Sequence, residues 1–200
     1  MVQSALIRPL EEHDFEEFSR LQQEALQVAP EAFGSGYESY RALSLLDREQ
    51  QFEAPLNSPY NWVLGVFVGG NPVGMAGFSC EHTKPKLRHK GRGWGMYVTP
   101  AFRGRGLGEQ LLQYVLKVAK EDAGCEQVLL LVAIANQASY GLYLKAGSLR
   151  YGTESRALKF REAYVDEHLM VRFLSAGSVS RETCKPWDGL CSEAMGTTKC

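Results

Sequence analysis

The segment over residues 93–112, GWGMYVTPAFRGRGLGEQLL, constrains the fold of this chain more than any other. Its first part is apolar and β-rich and is ended by a Thr-Pro pair, so it predicts a strand. From Leu107 onward, apolar residues recur at helical spacing, so the second part predicts a helix. The connection is rich in glycine and arginine, and its notable residues are Arg103, Gly104, Arg105, Gly106 and Gly108.

A strand, a glycine turn and a helix start together form a receptor for phosphate oxygens. The first amides of a helix have no partners within it and point along its positive end, and glycines let a ligand approach the backbone. Arg103 and Arg105 add donors suited to a pyrophosphate. The alternative is a left-handed turn with solvated arginines. The chain has no GxxxxGK[ST] sequence and lacks the acidic follow-up of a dinucleotide fingerprint, which excludes those two phosphate motifs.

The remaining pattern predicts one α/β domain over residues 1–174. Residues 5–10 form a first strand, and three- and four-residue apolar steps over 11–28 predict a helix that Pro30 stops. Two β-rich runs, 62–68 and 73–80, flank a Gly-Gly-Asn turn and predict a hairpin, which the strand over 94–98 extends to a meander. A helix over 107–123 follows this meander.

The last third of the domain predicts a buried strand over 128–134, a short helix over 137–146, and closing strands over 149–157 and 168–174. The order β-α-β-β-β-α-β-α-β-β implies a mixed sheet with helices on both faces. Residues 175–200 are rich in Ser, Gly, Thr and Lys without periodicity, so we interpret them as a polar C-terminal tail whose order the pattern leaves open.

Composition and charge narrow the classes of function. The chain is 44% hydrophobic and 22% charged with a net charge of -1, which is typical of a globular protein and gives no basic field for nucleic acid or membranes. No apolar run reaches the ~20 residues that span a bilayer. The first residues turn acidic too early for a signal peptide, so we expect a cytoplasmic protein. The five cysteines lack zinc-type spacing, which predicts free thiols and no metal site.

Two motifs make the prediction more specific. Residues 98–108 fit V-x-P-x-x-R-x-x-G-x-G, and residues 136–147 fit N-x-x-[AS]-x-x-L-Y-x-K-x-G. In this order and on these elements they resemble the acetyl-CoA signatures of the GNAT (Gcn5-related N-acetyltransferase) superfamily, and the resemblance runs from about residue 7 to residue 174. It implies a mostly antiparallel sheet whose splayed central strand pair binds acetyl-CoA, and an enzyme that moves the acetyl group directly to a primary amine without a metal.

The resemblance also implies roles for individual residues. Backbone groups of Met96, Tyr97 and Val98 would pair with pantetheine, and one freed amide there would stabilise the thioester oxyanion. Asn136 and Ser139 would also contact pantetheine, although Asn136 equally suits an N-cap. The pyrophosphate would lie on Arg103, Gly104, Arg105, Gly106, Leu107 and Gly108.

Tyr143 is the candidate catalytic acid that protonates the departing thiolate, and its alternative is an aromatic packed on a short helix. The general base is less defined. Some family members carry a glutamate early in the fourth strand, where this chain has Arg92 and Gly93. Glu81, His82 or an ordered water are the leading candidates for the base, and the further ones are Glu31, Glu53 and Asp166.

The acceptor is open at the level of sequence. The acid-rich region over residues 31–53 favours a small cationic amine, such as a polyamine or an aminoglycoside antibiotic. A peptide or protein amine is one alternative. A non-catalytic acyl-CoA sensor is another, although the presence of both Tyr143 and Asn136 argues against it. Family members often dimerise, so a homodimer is a further expectation.

Overall fold

The computed structural model describes residues 4–174, in which seven strands form one sheet. The strands are β1 (Leu6–Pro9), β2 (Asn61–Val68), β3 (Asn71–Cys80), β4 (Lys90–Val98), β5 (Gln127–Ala133), β6 (Leu149–Phe160) and β7 (Ala163–Phe173). The helices are α1 (Phe15–Val28), α2 (Tyr37–Ala42), α3 (Leu45–Leu56), α4 (Leu107–Glu121) and α5 (Gln137–Lys145). The strands lie in the order β1-β2-β3-β4-β5-β7-β6.

Neighbouring strands are antiparallel except β4 and β5, which run parallel. This arrangement confirms the predicted mixed, mostly antiparallel sheet. The predicted hairpin forms between β2 and β3. Its turn glycines, Gly69 and Gly70, have φ of 60° and 84°, a conformation that suits a two-residue hairpin turn and that glycine adopts without steric strain.

Helices cover both faces of the sheet, as predicted. On one face, which we call the α4 face, Leu111 of α4 packs with Phe78 of β3 in the larger apolar core. On the other, the α1 face, Phe18 of α1 and Phe52 of α3 pack with Met75 of β3. α1, α3 and α4 therefore each bury an apolar face against the sheet, which is the main source of their stability.

The central strand pair is splayed. Residues 90–92 of β4 pair with residues 127–129 of β5, and β4 then continues to Val98 without that partner. The separation opens a gap in the middle of the sheet, where backbone groups of β4 are free to bind a ligand as another strand would. The splayed pair predicted from the sequence is therefore present.

A bulge in β4 lies next to this gap. Gly77 of β3 faces Trp94, and Met75 faces Tyr97, so β4 carries one extra residue between these pairs. Gly95 has φ of 62°, which glycine adopts without strain. Because one extra residue reverses the alternation of side chains, Trp94 lies on the α1 face whereas Met96 packs on the core of the α4 face. We call this feature the β4 bulge.

The observed boundaries differ from the predicted ones at identifiable places. The first helix begins at Phe15 rather than residue 11, because Asp14 pairs with Arg8 and accepts a 2.8 Å hydrogen bond from the Glu11 amide, which holds a short 3₁₀ turn. β4 begins at Lys90 rather than residue 94, because its first residues are polar or glycine and give no apolar pattern from which a strand is predicted.

The closing strands are also longer than predicted and turn at residues 161–162. The residues of both strands near this turn are largely exposed and several are charged, so the apolar pattern used to predict a buried strand does not extend to the end of the hairpin. The region over residues 31–58, for which the sequence pattern above defines no strand or helix, contains α2 and α3. The C-terminal tail over 175–200 lies outside the described residues. None of the helices in residues 4–174 combines the length and apolarity needed to cross a membrane.

Candidate functional site

A cavity of about 760 Å³ lies where β4, the glycine turn, the start of α4 and α5 meet. Every residue predicted to bind the cofactor lines it except Arg105. These lining residues are Met96, Tyr97, Val98, Arg103, Gly104, Gly106, Leu107, Gly108, Asn136 and Ser139. We call it the cofactor cavity. Two motifs far apart in sequence thus form one surface.

The glycine turn prepares one end of this cavity for an anion. Gly104 and Gly106 have φ of 74° and 77°, so a side chain at either position would strain the backbone. Gly106 is the N-cap of α4 and no side chain caps the helix, which leaves the first amides facing the cavity side. Such uncapped amides at the positive end of a helix bind phosphate oxygens well.

The two arginines of the turn have different surroundings. Arg103 lines the cofactor cavity, donates a 2.8 Å hydrogen bond from Nε to the Val98 carbonyl, and lies over the Tyr97 ring. Arg105 instead donates to the Ala101 carbonyl at 3.1 Å and lies over the ring of Phe102. Arg103 is therefore the arginine that the fold holds beside the cavity.

Tyr143 lies under the β4 bulge with 6% of its surface exposed. Its hydroxyl is 4.0 Å from the Met96 sulfur, and burial raises the pKa of this tyrosine to about 12. The hydroxyl consequently keeps its proton throughout the neutral range. It is a core residue against the splayed strand and lines neither cavity, which matches the packed-aromatic alternative, and its role as the catalytic acid stays a prediction.

Asn136 is placed both to cap α5 and to contact a ligand in the cofactor cavity. Its side-chain oxygen accepts a 3.1 Å hydrogen bond from the Ser139 amide and so caps α5. The same residue lines the cofactor cavity. The cap uses the carbonyl oxygen, which leaves the amide nitrogen to donate to a ligand.

A second cavity, of about 390 Å³, lies on the α1 face, and we call it the acceptor-side cavity. Its walls come from α1, residues 32–35, β2, β3, β4, β5 and the closing strands. The large apolar side chains in these walls are Phe18, Leu26, Phe33, Val63, Met75, Trp94, Leu131 and Leu158. The ionisable side chains that line it are Arg92 and Glu167.

The two cavities meet at the β4 bulge. Gly95 lines the acceptor-side cavity and the next residue, Met96, lines the cofactor cavity. Ala32 lines both. A group bound in one cavity can therefore approach a group bound in the other across a single strand.

Sequence reasoning missed Glu167, which lies just before the closing strand predicted over residues 168–174 and within the observed β7. Burial and the nearby Glu154 raise the pKa of Glu167, and Arg92 opposes this shift. The available signal was the two-residue alternation of β7, which places Glu167 on the same face as Leu169 and Val171. Its neighbour Asp166, the candidate base that was considered, accepts a 2.7 Å hydrogen bond from the Arg156 amide instead.

Glu81 and His82, the leading candidate bases among the side chains, lie away from both cavities. Glu81 accepts a 2.8 Å hydrogen bond from the Thr83 amide, and the hydrogen bonds that it accepts from Thr83 lower its pKa, which makes it a weaker base. His82 stacks on Tyr60 with 3.8 Å between ring centroids. Neither one lines either cavity, because both follow the end of β3, away from the β4 bulge, so the geometry does not favour either of them as the base.

The acid-rich region also contributes less than expected. Of residues 31–53, the acceptor-side cavity is lined by Ala32, Phe33, Gly34 and Ser35. The acidic side chains described in this region belong to α2 and α3 and line neither cavity; they are Glu38, Asp47, Glu49 and Glu53. The side chain of Glu31 is outside the described part of the chain. Within residues 4–174, no three His, Cys, Asp or Glu side chains gather as metal ligands would.

Comparisons with known proteins agree with this geometry. Residues 12–147 match the acetyltransferase (GNAT) family. Over 121 residues the chain is 34% identical to the N-alpha-acetyltransferase RimI of Mycobacterium tuberculosis (strain ATCC 25618 / H37Rv), an alignment that covers 60% of this chain and 72% of that protein.

Solved structures share the fold. The ribosomal-protein-alanine N-acetyltransferase of Brucella melitensis superposes with a TM-score of 0.73 and 24% identity, over 84% of this chain and 99% of that one. The yncA protein of Salmonella typhimurium, solved with its cofactor acetyl-CoA, gives a TM-score of 0.73 and 20% identity, over 88% and 98% of the two chains. The chain therefore belongs to the acetyltransferase (GNAT) family and is an N-acetyltransferase.

Proposed function

We propose that this enzyme transfers the acetyl group of acetyl-CoA to the α-amino group of a peptide or protein N-terminus. The observation that carries the proposal is the meeting of the two cavities at the β4 bulge. The larger cavity has the glycine turn and uncapped helix start that suit a pyrophosphate. The smaller one opens on the opposite face of the same strand, where an amine would reach the acetyl group.

The residues present fit acetyl-CoA. The amides at the start of α4 and the Arg103 guanidinium would hold the pyrophosphate, and the free edge of β4 at Met96–Val98 would pair with pantetheine. The Asn136 amide would add a donor on the far wall. The bound molecule supplies an acetyl thioester, whose carbonyl would lie near backbone amides that the β4 bulge frees from the ladder.

Tyr143 would serve as the acid in the transfer. The amine nitrogen forms a bond to the acetyl carbon, the carbon–sulfur bond breaks, and the departing sulfur takes a proton. The buried Tyr143 hydroxyl, with a pKa of about 12, carries a proton available for that purpose at neutral pH and lies under Met96 at the gap. No covalent enzyme intermediate is required.

The lining of the acceptor-side cavity distinguishes between classes of amine. A polyamine or aminoglycoside carries several ammonium groups, and each one needs a carboxylate or solvent to replace its hydration. The cavity offers large apolar walls, one carboxylate and one guanidinium, and the acidic side chains of α2 and α3 lie elsewhere. An amine next to an apolar side chain fits this lining better, as at a peptide N-terminus. The similarity to an N-alpha-acetyltransferase supports the same class.

A thiol-release assay tests the proposal. The enzyme would be given acetyl-CoA with peptides that vary in their first residue, with the same peptides blocked at the α-amine, and with polyamines and aminoglycosides. We expect release with free peptides, no release with their blocked counterparts, and an acetyl group located on the α-nitrogen by mass spectrometry. Release with polyamines or aminoglycosides alone would overturn the peptide assignment.

A second readout separates binding from turnover. If acetyl-CoA raises the Tm while no amine in the panel yields free thiol, the sensor alternative replaces the transfer proposal. If acetyl-CoA neither raises the Tm nor reacts, the assignment of the cofactor cavity is wrong. The variant Tyr143→Phe sharpens the comparison, because an enzyme should lose turnover and keep the thermal shift, whereas a sensor would be unchanged.

A further inference from the structure

Glu167 of β7 lines the acceptor-side cavity together with Trp94 and Gly95 of the β4 bulge. The register places Arg92 opposite Leu129 and Ala133 opposite Glu167. Beyond the Arg92–Leu129 pair, β4 continues through the bulge to Val98 and β5 continues to Ala133. β7 therefore presents Glu167 beside the point where the two cavities meet.

The carboxylate faces the acceptor-side cavity, while its charged neighbours on β7 do not line that cavity. Asp166 is engaged with the Arg156 amide, and His168 lies on the other face, 3.2 Å from the Thr153 hydroxyl and packed against a tyrosine ring. Glu154 of β6 lies directly opposite Glu167 in the strand pairing and does not line the cavity. Arg92 is the other ionisable side chain of the lining.

An amine acceptor imposes a requirement that Glu167 satisfies. At neutral pH the acceptor nitrogen carries a proton and has no free electron pair for attack. In an apolar cavity an ammonium also needs an anionic partner to offset its lost hydration. Glu167 is the carboxylate lining the cavity, whereas Glu81 and His82 lie outside it.

We propose that Glu167 binds the acceptor ammonium and removes its proton, directly or through one water, before the nitrogen attacks the acetyl carbon. This inference rests on the proposed transfer function. The proton moves from the ammonium to the Glu167 carboxylate and then to solvent. The freed electron pair forms the new nitrogen–carbon bond as the sulfur leaves. Glu167 would then be the base that the fourth strand, with Arg92 and Gly93 at its start, does not provide.

The surroundings of Glu167 suit this task. Its pKa is raised by burial and by the nearby Glu154, which makes the carboxylate a stronger base than an exposed glutamate, and Arg92 opposes the rise. Protonation of Glu167 as the pH falls should therefore reduce kcat/KM. Because the folded pKa is above the ordinary value of 4.5, that loss should begin at a higher pH than for an exposed glutamate.

The test is the pH profile of Glu167→Gln with the best acceptor of the wild-type enzyme. We expect kcat/KM to fall about 10²- to 10³-fold, the acid limb of the profile to disappear, and the thermal shift given by acetyl-CoA to remain. Glu167→Asp should recover part of the rate. In Glu154→Gln the acid limb should move to lower pH at an unchanged maximal rate, since a like charge is removed. Glu81→Gln is the control outside both cavities and should match the wild type.

The outcomes separate the two levels of inference. Wild-type turnover with an unchanged profile in Glu167→Gln would refute the role of Glu167 and leave the transfer function standing. A uniform fall in rate, with the acid limb retained, would show that Glu167 only shapes the cavity. Absence of thiol release by the wild type with every amine would refute the proposed function, and the inference would fall with it.

Discussion

Gly77 of β3 is a position where one methyl group should alter the acceptor side alone. A Cβ built there would lie 2.3–2.4 Å from three atoms of the Trp94 ring, which packs over the glycine from the neighbouring strand. Contacts below 3.0 Å essentially do not occur, so something must shift. The ring is 40% exposed, and the free direction is toward the acceptor-side cavity that it lines.

The size of the effect follows from this overlap. Restoring an ordinary separation of 3.4 Å from 2.3 Å requires a shift of 1.1 Å. Overpacking of this kind costs about 2 kcal/mol, which lowers Tm by roughly 4–8 °C in a domain of this size. If the displaced ring weakens the binding free energy of the acceptor by about 1.4 kcal/mol, the KM of the acceptor rises about tenfold. The Kd of acetyl-CoA should stay unchanged, because the affected wall belongs to the other cavity.

Thermal unfolding, acceptor kinetics and acetyl-CoA titration of Gly77→Ala would measure all three quantities. Gly34→Ala is the matched control, since Gly34 lines the same cavity and a Cβ there meets nothing within 4 Å. The control should keep its KM and gain a few tenths of a kcal/mol from a stiffer unfolded chain. Equal effects in the two variants, or a weakened Kd for acetyl-CoA in Gly77→Ala with normal acceptor kinetics, would refute the reasoning.

Three further variants address other parts of the molecule. Tyr143→Phe should lower kcat about 10²-fold, which rapid-quench kinetics would measure. The free energy of unfolding should change by less than ~1 kcal/mol, because the hydroxyl has only a 4.0 Å contact to the Met96 sulfur, and the Tm would report this. Asn136→Ala should lose about 1 kcal/mol of capping and also acetyl-CoA affinity, whereas Asn136→Asp should keep the cap and lose only affinity, as calorimetry would report. Asp14→Asn should lower the free energy of unfolding by about 3 kcal/mol near pH 7, because it removes the charge that pairs with Arg8. Arg8 lowers the pKa of Asp14, so the stability contributed by the ion pair is fully present above the ordinary pKa of 3.8 and is lost as the pH falls through the lowered pKa. Urea unfolding at pH 7 and pH 3 should therefore show the free energies of unfolding of variant and wild type converging in acid.

The cofactor side was predictable because its information is local. The glycines at 104 and 106 have positive φ, and the helix start follows at once, so a short stretch of sequence specifies both the turn and its charge. Arg105 shows the limit of this reasoning. The motif marks an arginine, but the choice between the cavity and the Phe102 ring depends on a rotamer that sequence does not reveal.

The acceptor side could not be predicted in the same way, because its walls come from segments far apart in the chain. Trp94 meets Phe18 and Leu158 only after the sheet has assembled. Glu167 has no motif around it, and its importance arises from strand order and register. The acid-rich stretch illustrates a related difficulty, since a charge cluster in sequence indicates a solvated helix face as readily as a ligand site.

The extra residue of the β4 bulge divides one strand into two parts that can evolve separately. Before it, Arg92 and Trp94 contribute to the wall that an acceptor would meet. After it, Met96 and Val98 belong to the cavity on the other face. Substitutions in the first part can therefore change what is acetylated while the second part continues to hold the same cosubstrate. Engineering a new acceptor preference should begin with those two positions and leave the residues beyond Gly95 untouched.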